Sequence, residues 1–176
     1  MSLTLIETKN PSGVSSVEFT SGINSTYKTY LFKVTAMHPA TSGVKFEFQG
    51  NVSGASGYNE QMLTTYFRTY VTEDGSQGNT QFETGDAQSG TGFQPLSSGT
   101  SNHADAVTNG ELWLFNPSST TFVTNFHSRF SQLGNVAIQD DYAAGFFDVT
   151  GAITDIKFQQ SSGNFDATIS LYGLGE

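Results

Sequence analysis

One stretch, residues 110–129, constrains the fold more than any other because it has the form of a β-hairpin. Two runs rich in aromatic and β-branched residues flank the sequence Asn-Pro-Ser-Ser, in which proline presets φ at the second turn position and Asn and Ser can bond their own backbone. In a strand, Leu112 and Leu114 face one side while Trp113 and Phe115 face the other. A strand that is apolar on both faces suits the middle of a two-layer sandwich, so we expect Trp113 to pack in the core.

Similar alternating segments recur along the chain. The 15 Phe and seven Tyr favour strands, because aromatic side chains fit a pleated, half-buried surface. The alternation predicts strands at residues 3–7, 17–19, 30–36, 44–49, 62–72, 142–149, 153–159 and 165–172. Two pairs of these segments, 30–36 with 44–49 and 153–159 with 165–172, are separated by short turn-rich links. We expect the first pair to be antiparallel neighbours and the second to be a hairpin.

A polar segment, residues 73–109, interrupts this pattern. It is dominated by Gly, Ser, Thr, Asn, Gln and Asp, with a few spaced apolar anchors such as Phe82 and Phe93. The anchors favour an ordered surface excursion with short strands near 80–83 and 92–96, and low-complexity disorder is the competing interpretation. Further along, residues 134–141 are predicted as a connection. Gly145 is predicted to mark a bulge or a close backbone approach.

The number and spacing of these segments predict the fold class. About nine or more short strands with no helical segment between them favour an all-β fold, an antiparallel β-sandwich of jelly-roll type. A closed barrel is the alternative. The chain has 176 residues, the size of one ordinary domain, and we expect residues 1–176 to form a single domain.

Composition excludes several classes of function. The net charge is −9, and the seven Lys and Arg are scattered, which argues against binding nucleic acid through its phosphates. The chain has no cysteine, so disulfides, Cys-type zinc sites and thiol catalysis are excluded. The first residues lack a basic region followed by an apolar run, and no long apolar segment follows. We therefore expect neither a signal peptide nor a membrane span. We expect the chain to be synthesised in a cytoplasm.

The three histidines do not form a metal motif. His38, His103 and His127 are far apart in sequence, and the nearest approach to a ligand pair is His103-Ala104-Asp105, with no third ligand in view. Five acidic residues could instead supply oxygen ligands to a hard cation such as Ca²⁺: Glu83, Asp86, Asp105, Asp140 and Asp141. They have no EF-hand spacing, and turn-forming acids are the simpler interpretation. The sequence therefore assigns no metal, cofactor or catalytic residue.

The sequence offers little for catalysis and a few aromatic residues for sugar binding. No Gly-x-Ser-x-Gly elbow is present and no carboxylate pair stands out, so an enzyme is a minority interpretation. Trp113 and the tyrosines Tyr58, Tyr66 and Tyr70 could form a platform on which sugars stack. Core packing is the alternative, and it is preferred for Trp113.

Three phrases of the sequence together carry a resemblance. They are Gly-Glu-Leu-Trp-Leu-Phe-Asn-Pro-Ser-Ser-Thr-Thr at 110–121, the link 36–41 leading into 46–51, and the ending 161–173. In this order they resemble a group of virion structural proteins of tailed bacteriophages, marine ones especially. The resemblance implies a particle component without catalytic residues. It does not specify a position on the particle.

The resemblance and the composition together favour a decoration or cement protein on the outside of a capsid shell. An acidic surface avoids packaged DNA, and an uncharged polar surface stays solvated at marine ionic strength. We expect the partners to be the major capsid protein or other virion proteins. We also expect a homotrimer, with edge strands or residues 73–109 as contacts. The alternative is a tail or head fibre module that binds a host-surface glycan.

Overall fold

The computed structural model describes residues 2–83, 86–87 and 89–175. These residues form strands and connections only, as the sequence predicts, and none of them belongs to a helix that could cross a membrane. The strands are β1 (Ser2–Lys9), β2 (Ser16–Phe19), β3 (Thr29–Pro39), β4 (Phe46–Val52), β5 (Met62–Thr72), β6 (Gly78–Phe82), β7 (Ser89–Gly90), β8 (Gln94–Pro95), β9 (Thr108–Phe115), β10 (Thr124–Leu133), β11 (Ala137–Phe147), β12 (Ile153–Gln160) and β13 (Phe165–Gly175).

Two antiparallel sheets are built from these strands, and their order confirms the predicted jelly-roll sandwich. The large sheet runs β1-β13-β3-β9-β10-β11-β5-β6, with β7 paired to β5, and the small sheet runs β2-β12-β4-β8. The first strand pairs with the last and the second with the one before it, as in a jelly roll. Strands β10, β11, β5 and β6 widen the large sheet, and Phe126 of β10 and Phe147 of β11 pack on Phe48 of the small sheet.

Aromatic rings fill the space between the two sheets. Phe158 of the small sheet lies 5.2 Å from Phe32 of the large sheet and stacks on Phe46 at 5.7 Å between ring centroids. Phe19 closes the group with an edge contact of 5.1 Å to Phe32. All four rings are fully buried. The alternating Phe, Ile and Leu positions of the sequence thus supply the inner faces of both layers.

Two predicted strand pairings are wrong. β12 and β13 were expected to form a hairpin, but β12 pairs with β2 and β4 while β13 pairs with β1 and β3. β3 and β4 were likewise expected to be neighbours, and they lie in opposite sheets. In each case the short link crosses from one layer to the other. Two amphipathic strands joined by a turn can lie side by side in one sheet. They can equally lie in two sheets with their apolar faces packed against each other.

The central hairpin is confirmed, with a longer return strand than predicted. Phe126 of β10 pairs with Leu114 of β9, and the connecting residues 116–123 leave Phe122 69% exposed. Residues 134–141, expected as a connection, are mostly strand because β11 begins at Ala137. Gly145 marks a close approach, since a Cβ there would lie 2.5 Å from the Leu63 carbonyl oxygen.

The polar segment 73–109 contains both short strands that were expected, as β6 and β8. Thr84, Gly85 and Gln88 lie outside the described residues. Part of the segment is interior rather than surface, since Leu96 and Thr100 are fully buried. This part covers inner-face positions of β11 and β5, where Ser98 donates to Asp141 and Thr64 donates to Gln94 of β8.

Candidate functional site

The outer faces of the two sheets differ in character. On the small sheet, Lys157 forms an ion pair with Glu18 at 3.1 Å, and Gln159 donates a hydrogen bond to Glu47 at 3.3 Å. Loop residues cover its remaining part. Gln49 donates hydrogen bonds to the backbone carbonyls of Glu60, which precedes β5, and of Thr91 and Gly92, which follow β7. This face is polar and partly covered, as expected of a sheet that faces water.

The outer face of the large sheet is open and mainly apolar. We define this outer face by three rows of register-paired residues that cross the sheet. The rows are Leu3, Leu174, Thr29, Phe115, Asn125, Phe146, Leu63 and Ser89; Leu5, Tyr172, Leu31, Trp113, His127, Ala144 and Thr65; and Thr8, Ser170, Lys33, Glu111, Arg129, Tyr142, Phe67 and Phe82.

Large apolar side chains on this outer face are exposed to solvent. The exposed fractions are 50% for Leu3, 55% for Leu5, 49% for Leu63, 38% for Phe67 and 56% for Phe82. Leu3 and Leu5 lie at the β1 edge of the sheet and the other three at the β5–β6 edge, and half-buried Trp113, Phe115 and Phe146 lie between them. Single exposed apolar residues are ordinary, but a set that extends across one face indicates an interaction surface.

The three rows contain few charges. Lys33, Glu111 and Arg129 are adjacent in one row, and no other Asp, Glu, Lys or Arg occurs among the row members. The chain as a whole carries a net charge of −9. Asp140, beside this row on β11, forms an ion pair with Arg129, so two acidic and two basic residues lie together here and most of the chain's negative charge lies elsewhere.

Aromatic rings and a cation form the most structured part of the outer face. Phe67 and Tyr142 stack at 4.8 Å with an interplanar angle of 6°. The Arg129 guanidinium lies over the Tyr142 ring at 5.5 Å and donates to the Asp140 carboxylate, 2.8 Å from Nη2 to Oδ2. A shallow hollow of about 370 Å³ beside them is also lined by Glu111. Aromatic faces next to charged groups can bind an apolar or a sugar-like surface.

Trp113 was expected in the core, and that prediction is wrong. It is half-buried on the outer face, 6.3 Å from the exposed His127 ring, and Phe115 lies 5.2 Å from the same ring. Leu112 and Leu114, on the opposite face of β9, point inward and are fully buried. Both faces of β9 are apolar because one meets the core and the other belongs to the open face.

The structure does not bring the three histidines together. His38 Nδ1 lies 2.8 Å from the Ala106 carbonyl oxygen, His103 is exposed in the connection before β9, and His127 is on the outer face. Within the described residues, no three His, Asp or Glu side chains are grouped as metal ligands would be.

The five acidic candidates are also dispersed. Asp140 points outward to Arg129, whereas its neighbour Asp141 points inward and is fully buried. Glu83 pairs with Arg68 at 2.8 Å, Asp86 pairs with Lys45, and Asp105 is exposed in a loop. Adjacent acids in a strand face opposite sides, so the sequence would have predicted this for Asp140 and Asp141 had their strand been recognised.

The proposed tyrosine platform does not form either. Tyr66 is fully buried, and Tyr58 is buried with its hydroxyl 3.3 Å from Glu18 Oε2. Tyr70 is half-buried next to Arg68. The exposed aromatic surface consists instead of Phe67 and Phe82, with Tyr142 half-buried beside them. The sequence assigned none of these to a site, and Phe82, expected as an apolar anchor, is 56% exposed.

The structure also contains an interior polar cluster that the sequence did not predict. Asp141 Oδ2 accepts hydrogen bonds from the Ser98 amide at 2.9 Å, the Ser98 hydroxyl at 3.1 Å and Gln132 Nε2 at 2.8 Å. Tyr66 Oη lies near the Asp141 carboxylate, but neither it nor Asp141 Oδ1 forms a well-aligned hydrogen bond among the described residues. Burial raises the pKa of Asp141 to about 6, although the bonds from Ser98 act in the opposite direction. A partly satisfied buried acid costs stability, and it gives no sign of a ligand.

Comparison of the chain with protein-family models, with curated proteins and with solved structures gives no match.

Proposed function

We propose that this chain is a non-enzymatic structural protein of a bacteriophage particle, a decoration or cement protein on the outer surface of the capsid shell. The observation that carries the proposal is the open apolar outer face of the large sheet. A face of this kind acts by protein–protein contact.

The size of the outer face supports a stable contact. Eight strands spaced about 4.8 Å apart and three rows spaced about 7 Å apart give an area of about 700 Å². A typical specific interface buries about 800 Å² per partner, and the largest apolar patch on an ordinary monomer is about 300–600 Å². The outer face is thus large enough to be one side of an interface.

The chemistry of the outer face suits a particle that leaves its host cell. Apolar contacts are not screened by salt, whereas surface ion pairs weaken as ionic strength rises. The chain offers few ionic contacts, with seven basic residues against 16 acidic ones. The net negative charge disfavours contact with packaged DNA and so favours the outside of the shell. The resemblance to tailed-phage virion proteins points the same way.

Quantitative mass spectrometry of purified particles of the encoding phage tests this proposal. We expect copies of this chain in numbers comparable with those of the major shell subunit. A small fraction of that abundance would overturn the decoration role in favour of a tail or fibre component. Absence of the chain from particles would overturn the virion assignment altogether.

A second candidate function, glycan binding by a fibre module, is favoured by one observation. The Phe67–Tyr142 stack lies beside a hollow in which Glu111 and Arg129 supply polar groups. A glycan array tests this candidate with the Tyr142→Ala variant, which we expect to lose any binding that the unsubstituted chain shows. An array on which the unsubstituted chain binds nothing eliminates the candidate.

A further inference from the structure

We infer that the outer face is occupied by a second copy of this chain. The inference rests on the proposed function in one respect only: both use the outer face of the large sheet as a contact surface. The two large sheets pack face to face, related by a twofold axis that runs close to the strand direction along the boundary between β9 and β10. Each copy keeps the outer face of its small sheet exposed for other partners.

The strand order supports this position of the axis. The path has four strands on one side of the boundary, β1-β13-β3-β9, and four on the other, β10-β11-β5-β6. A twofold axis at the midpoint places β9 over β10 and β3 over β11, and it leaves only Leu5 of the row members without a residue opposite it. Such an isologous contact is the commonest kind in homodimers.

The charges fit the same axis. A rotation of one copy about a line parallel to the strands places each row of that copy opposite the same row of the other. The residues on β1, β13, β3 and β9 then lie opposite those on β6, β5, β11 and β10. Glu111 then faces Arg129 of the partner subunit, and the contact occurs twice. Lys33 lies opposite Tyr142 of the partner subunit, whose ring faces already contact Phe67 and Arg129 of its own chain. An axis on β9 or on β10 would instead bring Glu111 or Arg129 against its own copy, which like charges oppose.

An axis between β3 and β9 is the remaining choice that pairs opposite charges, because Lys33 and Glu111 would then meet. That axis shifts the sheets by one strand each and leaves β5 and β6 without a counterpart. Phe67 and Phe82, which are 38% and 56% exposed, would stay in water. The β9–β10 boundary satisfies both the charges and the apolar side chains.

The other two rows are compatible with this pairing. Leu174 faces Leu63 of the partner subunit, and Trp113 faces His127 of the partner subunit. The two faces together bury about 1,400 Å², within the range of about 1,200–2,000 Å² for stable complexes. The rows hold one acidic and two basic residues, and Asp140 beside Arg129 adds a second acid, so the charges in this part of the contact balance although each copy carries −9 overall.

Sedimentation equilibrium of the purified full chain from about 1 to 100 µM tests the inference. We expect twice the 18.9 kDa chain mass. E111R and R129E should each weaken dimerisation at least tenfold, and the double variant E111R/R129E should recover it, because the swapped charges again oppose each other. E18R on the small sheet is the matched control for the charge change of E111R and should leave the dimer intact.

Thermal unfolding of each variant confirms that it is folded. The absence of cysteine permits a second measurement: H127C, close to the axis, should be linked into dimers by a short bismaleimide, whereas D155C on the small-sheet side should not. A chain that stays monomeric throughout, or that forms the trimer expected from the sequence, overturns the inference. A dimer that withstands both single charge reversals also overturns it.

The results separate this inference from the proposed function. A monomeric chain that is abundant in particles would refute the pairing and leave the decoration role standing. A dimer with the predicted charge dependence, formed by a chain that is absent from particles, would support the pairing and refute the virion assignment.

Discussion

Replacing the buried Asp141 by Asn should stabilise the protein, and the gain should grow with pH. The side chain is fully buried, and burial raises its pKa from 3.8 to about 6. Because the folded state holds the proton more tightly than the unfolded state does, the free energy of unfolding falls as pH rises from about 4 to about 6 and stays lower above that.

The size of the effect follows from the pKa shift. A shift of about two pH units corresponds to about 3 kcal/mol when the carboxylate is fully ionised, with about half of that already present at pH 5. An Asn at position 141 keeps an acceptor for Ser98 and Gln132 and places an NH₂ donor where Oδ1 has no partner. D141N should therefore unfold at higher urea concentration than the unsubstituted chain at pH 8, and the difference should be smaller at pH 5.

Urea unfolding at pH 5, 6, 7 and 8 measures this difference. The control is D140N, at the neighbouring position that points outward to Arg129. Loss of that surface ion pair should cost less than about 1 kcal/mol. The reasoning is refuted if D141N is no more stable than the unsubstituted chain at pH 8, or if its advantage is the same at pH 5.

Two further substitutions test the packing. Phe158→Ala should reduce the free energy of unfolding by about 3–5 kcal/mol, because it empties the centre of the aromatic core, while Phe122→Ala, 69% exposed, should change it by less than about 0.5 kcal/mol; thermal unfolding compares them. Gly145→Ala should cost about 1–3 kcal/mol, because its Cβ would lie 2.5 Å from the Leu63 carbonyl oxygen, and Gly90→Ala, with no atom within 4 Å of its Cβ, is the control; equal urea midpoints would contradict the close approach.

The strands were predictable because their information is local. Strict alternation at Phe46 to Gln49 and the aromatic run around Trp113 identify extended segments without any knowledge of their neighbours. The failure at residues 137–141 has a local reason too. Gln139, Asp140 and Asp141 interrupt the apolar pattern because this part of β11 has a polar interior on one side and an ion pair on the other.

The sequence shows which aromatic residues are available for the site, but not which of them lie together. The sequence contains Phe67, Phe82 and Trp113, but the registers that align them in rows belong to the folded sheet. Asp141 gave no signal of burial, because a polar segment far from it in sequence covers this part of β11. Only the contact of Ser98 with Asp141 makes that visible.

The sequence by itself determined that this chain is all-β, that it folds without disulfides, and that its strands carry alternating faces. Those properties follow from the preferences of single residues and their immediate neighbours. The tertiary structure alone decided which strands pair, since a turn-linked pair can lie in one sheet or face itself across two layers. It also decided which apolar face remains open. Four added strands widen one sheet, and whether a given Phe or Trp meets the core or the solvent depends on what lies opposite.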